Sequence, residues 1–274
     1  MIEPTRGLSA LQLGDLWEYR ELLYFLVWRD VKVRYKQTVL GALWAILQPF
    51  LTMVVFTLLF NRIARISSAD LPYPLFSYAG LLVWTFFSQS LSQSSGSLVG
   101  SANLIKKVYF PRLVIPASAV LAALVDFVVA APMVAVLMAY YGVAPNPALV
   151  ALPVFLLLAM AAALGAGLWL AALNVEYRDV RYAIPFVVQL WLFLTPVIYP
   201  ADTVIGWLEH KGLPGWLVAL NPMTGVVEGF RWALFGAPEN PWPLTLVSAV
   251  ITGILLVTGS LYFHSMERSF ADIA

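Results

Sequence analysis

Six apolar runs divide the chain: 38–60, 73–99, 113–140, 148–173, 182–199 and 244–263. Crossing about 30 Å of hydrocarbon takes roughly 20 helical residues, and each run is about that long. Membrane β-strands would alternate over about ten residues, so a barrel is excluded. No period of roughly 20–50 residues marks a repeat array. The pattern predicts an all-α, polytopic membrane protein with six transmembrane helices in the segment 38–263. A cytoplasmic segment 1–37 precedes it and a cytoplasmic tail 264–274 follows.

Two further stretches are amphipathic. Over 18–36, Leu22, Leu26 and Val33 share one side while Arg29, Lys32 and Lys36 share another. Tyr19, Tyr24, Trp28 and Tyr35 suit the headgroup region. This predicts an N-terminal interface helix that anchors the chain, with contact to a cytoplasmic partner left open. The outer hairpin 200–243 holds two short apolar pieces, then a helix with Asn221 as N-cap, Pro222 as first residue and Gly236 as stop. Met223, Val226, Val227, Phe230, Ala233 and Leu234 fall on one face of it; Thr224, Glu228 and Arg231 fall on the other. A helix this short and amphipathic is expected to lie in the interface or to dip in and return. If it spanned instead, the spans would number seven and the C-terminus would move outside.

Composition agrees with the pattern. Hydrophobic residues make up 61% and charged residues 11%, against about 45–50% and 25% in soluble domains. A net charge of +1 leaves no nucleic-acid footprint. With the N-terminus inside, the outer segments hold only Arg62, Arg65, Lys211 and Arg231 of the sixteen lysines and arginines. The positive-inside rule then puts both termini in the cytoplasm. The opening residues lack the apolar core of a cleavable signal peptide. There is no cysteine, and His210 and His264 fall on opposite sides of the membrane, where they cannot share a metal. No HExxH, GxSxG or phosphate-loop motif occurs. The chain therefore reads as neither an enzyme nor an ATP-hydrolysing subunit.

Few polar groups sit inside the runs. Asp126 lies near the middle of the third, where a charge costs about 2.5–3.5 kcal/mol on insertion scales. A proton relay would need further buried acids or histidines, so a hydrogen bond to a neighbouring helix is the preferred expectation. Pro116 and Pro132 flank it as candidate kinks. The second run carries Phe86, Gln89 and Gln93 at helical spacing, with Ser88, Ser90, Ser92, Ser94 and Ser95 crowded beside them. Such groups must face other helices or water. Two readings stay open: close helix packing through Gly96 and Gly100, or the polar wall of a conduit for sugar hydroxyls. Trp44, Trp84, Phe87, Trp191, Phe193 and Tyr199 are candidate rings along such a pathway, although each is equally a packing residue.

Several segments together resemble one family. They are VWRDVKVRYKQT (27–38), VLGALWAILQP (39–49), NLIKKVYFPR (103–112), LNVEYRDVRY (173–182), LWLFLTPVIYP (190–200) and LNPMTGVVEGFRWALFG (220–236). In order and spacing they are similar to the permease subunit of type-two ABC exporters for polysaccharides and polyol phosphates, the class that exports O-antigen, capsule and teichoic-acid chains. The resemblance implies a homodimer paired with two copies of a separate ABC ATPase, which would bind the ATP and Mg. It implies a conduit for a lipid-linked glycan across the cytoplasmic (inner) membrane. The inner loops 100–112 and 174–181 become docking points, with Lys106, Lys107 and Arg112 on the first. Glu176, Arg178, Asp179 and Arg181 lie on the second. Arg29, Arg34 and Lys36 become candidates for the lipid pyrophosphate. Glu228 and Arg231 become an outer-gate pair, worth a few tenths of a kcal/mol if exposed. A permease for small hydrophobic drugs or lipids is the alternative within the superfamily. An intramembrane enzyme or a proton-coupled transporter would need more buried acids than Asp126.

Overall fold

The computed structural model describes residues 13–267, apart from 37, 39, 66, 67, 69, 70, 109, 178 and 237–239. Its regular elements among these residues are helical. Four helical stretches are long and apolar enough to cross a membrane: Leu43–Ile63, Val114–Tyr141, Pro147–Glu176 and Trp242–Met266. In chain order, α1 (Leu13–Glu18) and α2 (Arg20–Tyr35) lead into α3 (Leu43–Phe56), which continues as a π-helical turn, Thr57–Ile63. Next come α4 (Tyr73–Gly100), α5 (Ala102–Lys107), α6 (Val114–Ala130) and α7 (Pro132–Tyr141). A 3-10 turn, Pro147–Ala151, opens α8 (Leu152–Glu176), followed by α9 (Val180–Leu194) and α10 (Ala201–His210). A second 3-10 turn, Gly215–Leu220, precedes α11 (Pro222–Phe235) and α12 (Trp242–Met266).

The 28-residue α4 is the axis of the bundle. It packs against α3, α6, α8, α9 and α11, and most of its side chains are buried. That position explains its polarity, because a helix screened from lipid by its neighbours can carry serines and glutamines that lipid would penalise. Its N-terminal part joins α6, α7, α8 and α11 in one apolar cluster around Phe86, Phe127, Phe155 and Phe230. Its last turn joins Leu26 of α2, Leu113, Leu168 and Phe263 in a second cluster at the other end of the bundle. The fifth apolar run is helical only to Leu194, shorter than expected, because residues 195–200 leave the helix and are held by other contacts.

Proline and glycine shape the crossings. Pro132 has no N–H, and the ladder shifts there: Val134 N–H bonds to Ala131 instead of Ala130. The freed Ala130 carbonyl accepts a hydrogen bond from the Tyr78 hydroxyl at 3.1 Å. The close helix approach falls on Gly165 and Gly259, where a Cβ on Gly259 would sit 2.3 Å from the Gly165 carbonyl oxygen. Gly96 and Gly100, the small-residue pair of the sequence, meet nothing within 4 Å, so the packing contact expected there is not made within one chain.

Two amphipathic expectations need correction. The α11 boundaries are as read: Asn221 accepts from Met223 N–H at 3.1 Å, Pro222 opens the helix, and Gly236 ends it in the left-handed region at φ 71°. Yet both faces of α11 are buried, Thr224 and Arg231 included. Its glycines explain how: Gly229 lies against the Phe155 ring and Gly225 against the backbone of Thr245. The helix is therefore wedged between α4, α8 and α12, not laid on an interface. In α2 the buried residue is Leu26, whereas Val33 is 72% exposed. The helix docks on α6 and turns Val33 away from it.

Candidate functional site

Ser88, Ser92 and both glutamines of the second run line an open groove, whereas Ser90, Ser94 and Ser95 are buried against other helices. Trp84, Ser88, Gln89, Ser92 and Gln93 of α4 face Pro185, Val188, Gln189 and Leu192 of α9 across a cavity of about 330 Å³. The i,i+4 pairs Ser88/Ser92 and Gln89/Gln93 put two polar rows on one side of α4. Gln189, the one amide inside the fifth run, completes the lining; its place among apolar neighbours in mid-helix was the signal that could have identified it. An amide offers two donors and two acceptor lone pairs, and a hydroxyl offers both functions, so this wall matches sugar hydroxyls and water. No charge lines it.

The aromatic candidates divide. Trp84 stacks obliquely on Phe87, with centroids 5.4 Å apart. Phe87 in turn meets the edge of Trp191 at 5.0 Å, and Phe86 meets Phe127 at 5.8 Å. Phe86 and Phe87 are fully enclosed within the chain. Trp84 lines the cavity, and Trp191 donates its indole N–H to Asn221 at 2.9 Å. Trp44 and Phe193 are exposed on α3 and α9. The Tyr199 hydroxyl donates to the Phe193 carbonyl at 2.8 Å.

At the inner side of this cavity three sequence candidates converge. The Arg34 guanidinium is paired with the Asp126 carboxylate and also donates to the Gln93 side chain. The Tyr35 hydroxyl donates to the other Asp126 oxygen. Asp126 is thus hydrogen-bonded to a neighbouring helix, as expected, but that helix is α2. One cluster ties the N-terminal helix to α6 and to the polar wall of α4. Arg29 is paired instead with its neighbour Asp30 at 2.8 Å, and Lys36 is exposed beyond the end of α2.

The inner loops present charge. Lys106 and Lys107 are exposed in the last turn of α5, and Arg112 is half-buried. Glu176, Asp179 and Arg181 are exposed around the α8–α9 turn, while Arg178 lies outside the described residues. A hydrogen bond from the Tyr177 hydroxyl to Glu176 raises that phenol above its ordinary value. Among the described residues no group of three metal-ligating side chains occurs.

At the outer end, Glu228 and Arg231 are not the exposed pair of the sequence reading. Arg231 is 1% exposed. It donates to the carbonyls of Pro196 and Val197 at 2.7 Å each, to Phe76 at 3.2 Å and to Glu228 at 3.2 Å. Its guanidinium also lies 3.5 Å from the Phe76 ring centroid. Glu228 accepts from the Ala201 N–H at 3.0 Å, at the start of α10. A lone buried cation needs such partners, and the non-helical segment 195–200 supplies carbonyls that no helix uses.

A bundle of long apolar helices around a polar axial helix defines a multi-span α-helical membrane protein. The model of the ABC-2 type transporter family matches residues 21–235, and the chain belongs to that family. An O-antigen export system permease protein from Myxococcus xanthus is 34% identical over 259 residues, covering 94% of this chain and 97% of that protein. An O-antigen export system permease protein from Klebsiella pneumoniae is 28% identical, with 95% and 96% covered. The polysialic acid transport protein KpsM of Escherichia coli is 23% identical, with 88% and 92% covered.

Proposed function

We propose that this chain is the conduit-forming permease of an ABC exporter that moves lipid-linked polysaccharide of the O-antigen kind outward across the cytoplasmic membrane. The observation that carries this is the uncharged groove between α4 and α9, with hydroxyls and amides along its α4 wall. The full-length similarity to O-antigen and capsule export permeases supports it. A permease for small hydrophobic compounds would need no such wall. In this reading α4 and α9 are the second and fifth of six spans. At 15 residues α9 is short for a crossing, and the non-helical segment 195–200 completes the fifth span. Both termini are cytoplasmic, so α5 and the α8–α9 turn face the cytoplasm, where a separate ATPase subunit carrying ATP and Mg docks.

Two copies of the chain complete the conduit. α9 supports that assembly, since Phe186, Leu190 and Leu194 leave its outer side exposed and apolar. The ATPase stroke reaches the conduit wall through α2, by way of Arg34, Asp126 and Gln93. Arg29 and Lys36 remain at the inner surface for the lipid pyrophosphate. The test is co-purification with the ATPase encoded alongside it, followed by reconstitution. ATP hydrolysis should rise with added lipid-linked glycan, and deleting the gene should trap the glycan on the cytoplasmic leaflet. Normal surface glycan in the deletion strain would overturn the proposal.

A further inference from the structure

A second groove lies away from the polar cavity, between α3 with its π-helical turn and α7. Its volume is about 400 Å³, and Phe50, Met53, Leu58, Met133 and Leu137 supply apolar walls. One end carries the cation Arg62 together with Tyr140 and Tyr141. The two tyrosine rings meet edge to face at 4.9 Å. Among the described residues, the Arg62 side chain makes no hydrogen bond or ion pair. From Phe50 to Arg62 the chain climbs about 18 Å at roughly 1.5 Å per residue, against about 15 Å for one leaflet's share of the hydrocarbon. Arg62 and both tyrosines fall at the very ends of the stretches Leu43–Ile63 and Val114–Tyr141, the depth at which phosphates and aromatic belts meet. The π-turn contributes as well. Its i→i+5 bonding sets Arg62 one wide turn above Thr57, and both residues line the groove.

We infer that this groove holds one phospholipid of the outer leaflet, its phosphate on the Arg62 guanidinium and one acyl chain between α3 and α7. The walls match an acyl chain and not a sugar, and Arg62 is the one charged residue of the lining. The word outer rests on the orientation proposed above. Binding itself does not, so failure here and failure of the export reading are separate results.

The probe is phosphatidylglycerol, titrated into the purified full chain and read by native mass spectrometry. Wild type should retain one molecule that diacylglycerol, lacking the phosphate, does not match. Arg62→Gln should weaken retention about fivefold, the size of one basic residue's attraction for an anionic lipid surface. Arg62→Lys should restore most of it, and Arg65→Gln, outside the groove lining, should change nothing. Met133→Trp, which plugs the groove, should abolish retention with Arg62 intact. Equal retention by wild type and Arg62→Gln would overturn the inference. So would disulfide formation between two copies through a cysteine placed at Val136, a clean reporter because the chain has none of its own.

Discussion

Removing the Arg231 guanidinium should destabilise the whole outer end of the bundle. It donates four hydrogen bonds, three to backbone carbonyls and one to Glu228. In Arg231→Gln the shorter amide can serve at most part of this set, and the remaining acceptors stay buried. Breaking a buried pair by deleting one partner costs about 3–5 kcal/mol, whereas an exposed i,i+3 pair is worth roughly 0.2–0.5 kcal/mol. The two cases differ about tenfold, so the measurement decides between them. Thermal unfolding of the full chain in detergent, followed by tryptophan fluorescence, should show a midpoint about 10 °C lower at roughly 2–4 °C per kcal/mol. The double variant Arg231→Met, Glu228→Met sharpens the test. A self-contained ion pair replaced by apolar residues is often neutral, but here the carbonyls of Phe76, Pro196 and Val197 lose their donor. The double variant should therefore stay about 2 kcal/mol or more below wild type. A midpoint shift under about 2 °C for Arg231→Gln, or a double variant as stable as wild type, would refute the carbonyl-capture reasoning.

Other perturbations probe the remaining contacts. Arg34→Glu places two carboxylates together at Asp126 and should abolish export while membrane insertion, read by fractionation, is unchanged; the swap Arg34→Asp, Asp126→Arg should recover part of it. Gln89→Leu combined with Gln93→Leu should cut polymer export at least tenfold in a surface-glycan assay, with Gln89→Leu alone leaving the unfolding midpoint within about 2 °C. Gly229→Ala would drive a Cβ to 2.0 Å from the Phe155 ring and should cost about 1–3 kcal/mol, relieved by Phe155→Leu. Gly80→Ala, whose Cβ would fall 2.6 Å from Arg231 Nη2, should lower the midpoint in the same way as loss of the guanidinium.

The class of fold was legible because the lipid imposes it: apolar runs of span length can be little else. The α11 cap was legible as well, since Asn221, Pro222 and Gly236 act through local backbone geometry that no distant contact changes. The polar residues were located but not assigned a neighbour. Helical periodicity placed Thr224, Glu228 and Arg231 on one face of α11, and a polar face ordinarily means water. Here it means the carbonyls of a broken helix end more than thirty residues away from Arg231. The same limit applies to Arg34. The resemblance marks it as a candidate for the lipid pyrophosphate, and nothing local in the sequence points to Asp126, ninety-two residues further on, which pairs with it.

The two long-range pairings have one cause, and it bears on mechanism. Inside a membrane bundle a charge survives only against a specific partner, so every buried charge marks a place where two elements are fastened. Arg231 fastens the α9–α10 connection to α4 and α11 at the outer end. Arg34 fastens α2 to α6 and α4 at the inner end. Both fastenings converge on α4, the helix that also carries the polar wall. A force applied to α2 therefore has a bonded route to Gln93 that does not pass through the apolar core. Severing it with Arg34→Met, combined with Asp126→Asn so that no buried charge is left unpaired, should uncouple ATP hydrolysis from export in the reconstituted complex: hydrolysis persists and polymer transfer falls. Equal loss of both activities would mean that the cluster only holds the fold.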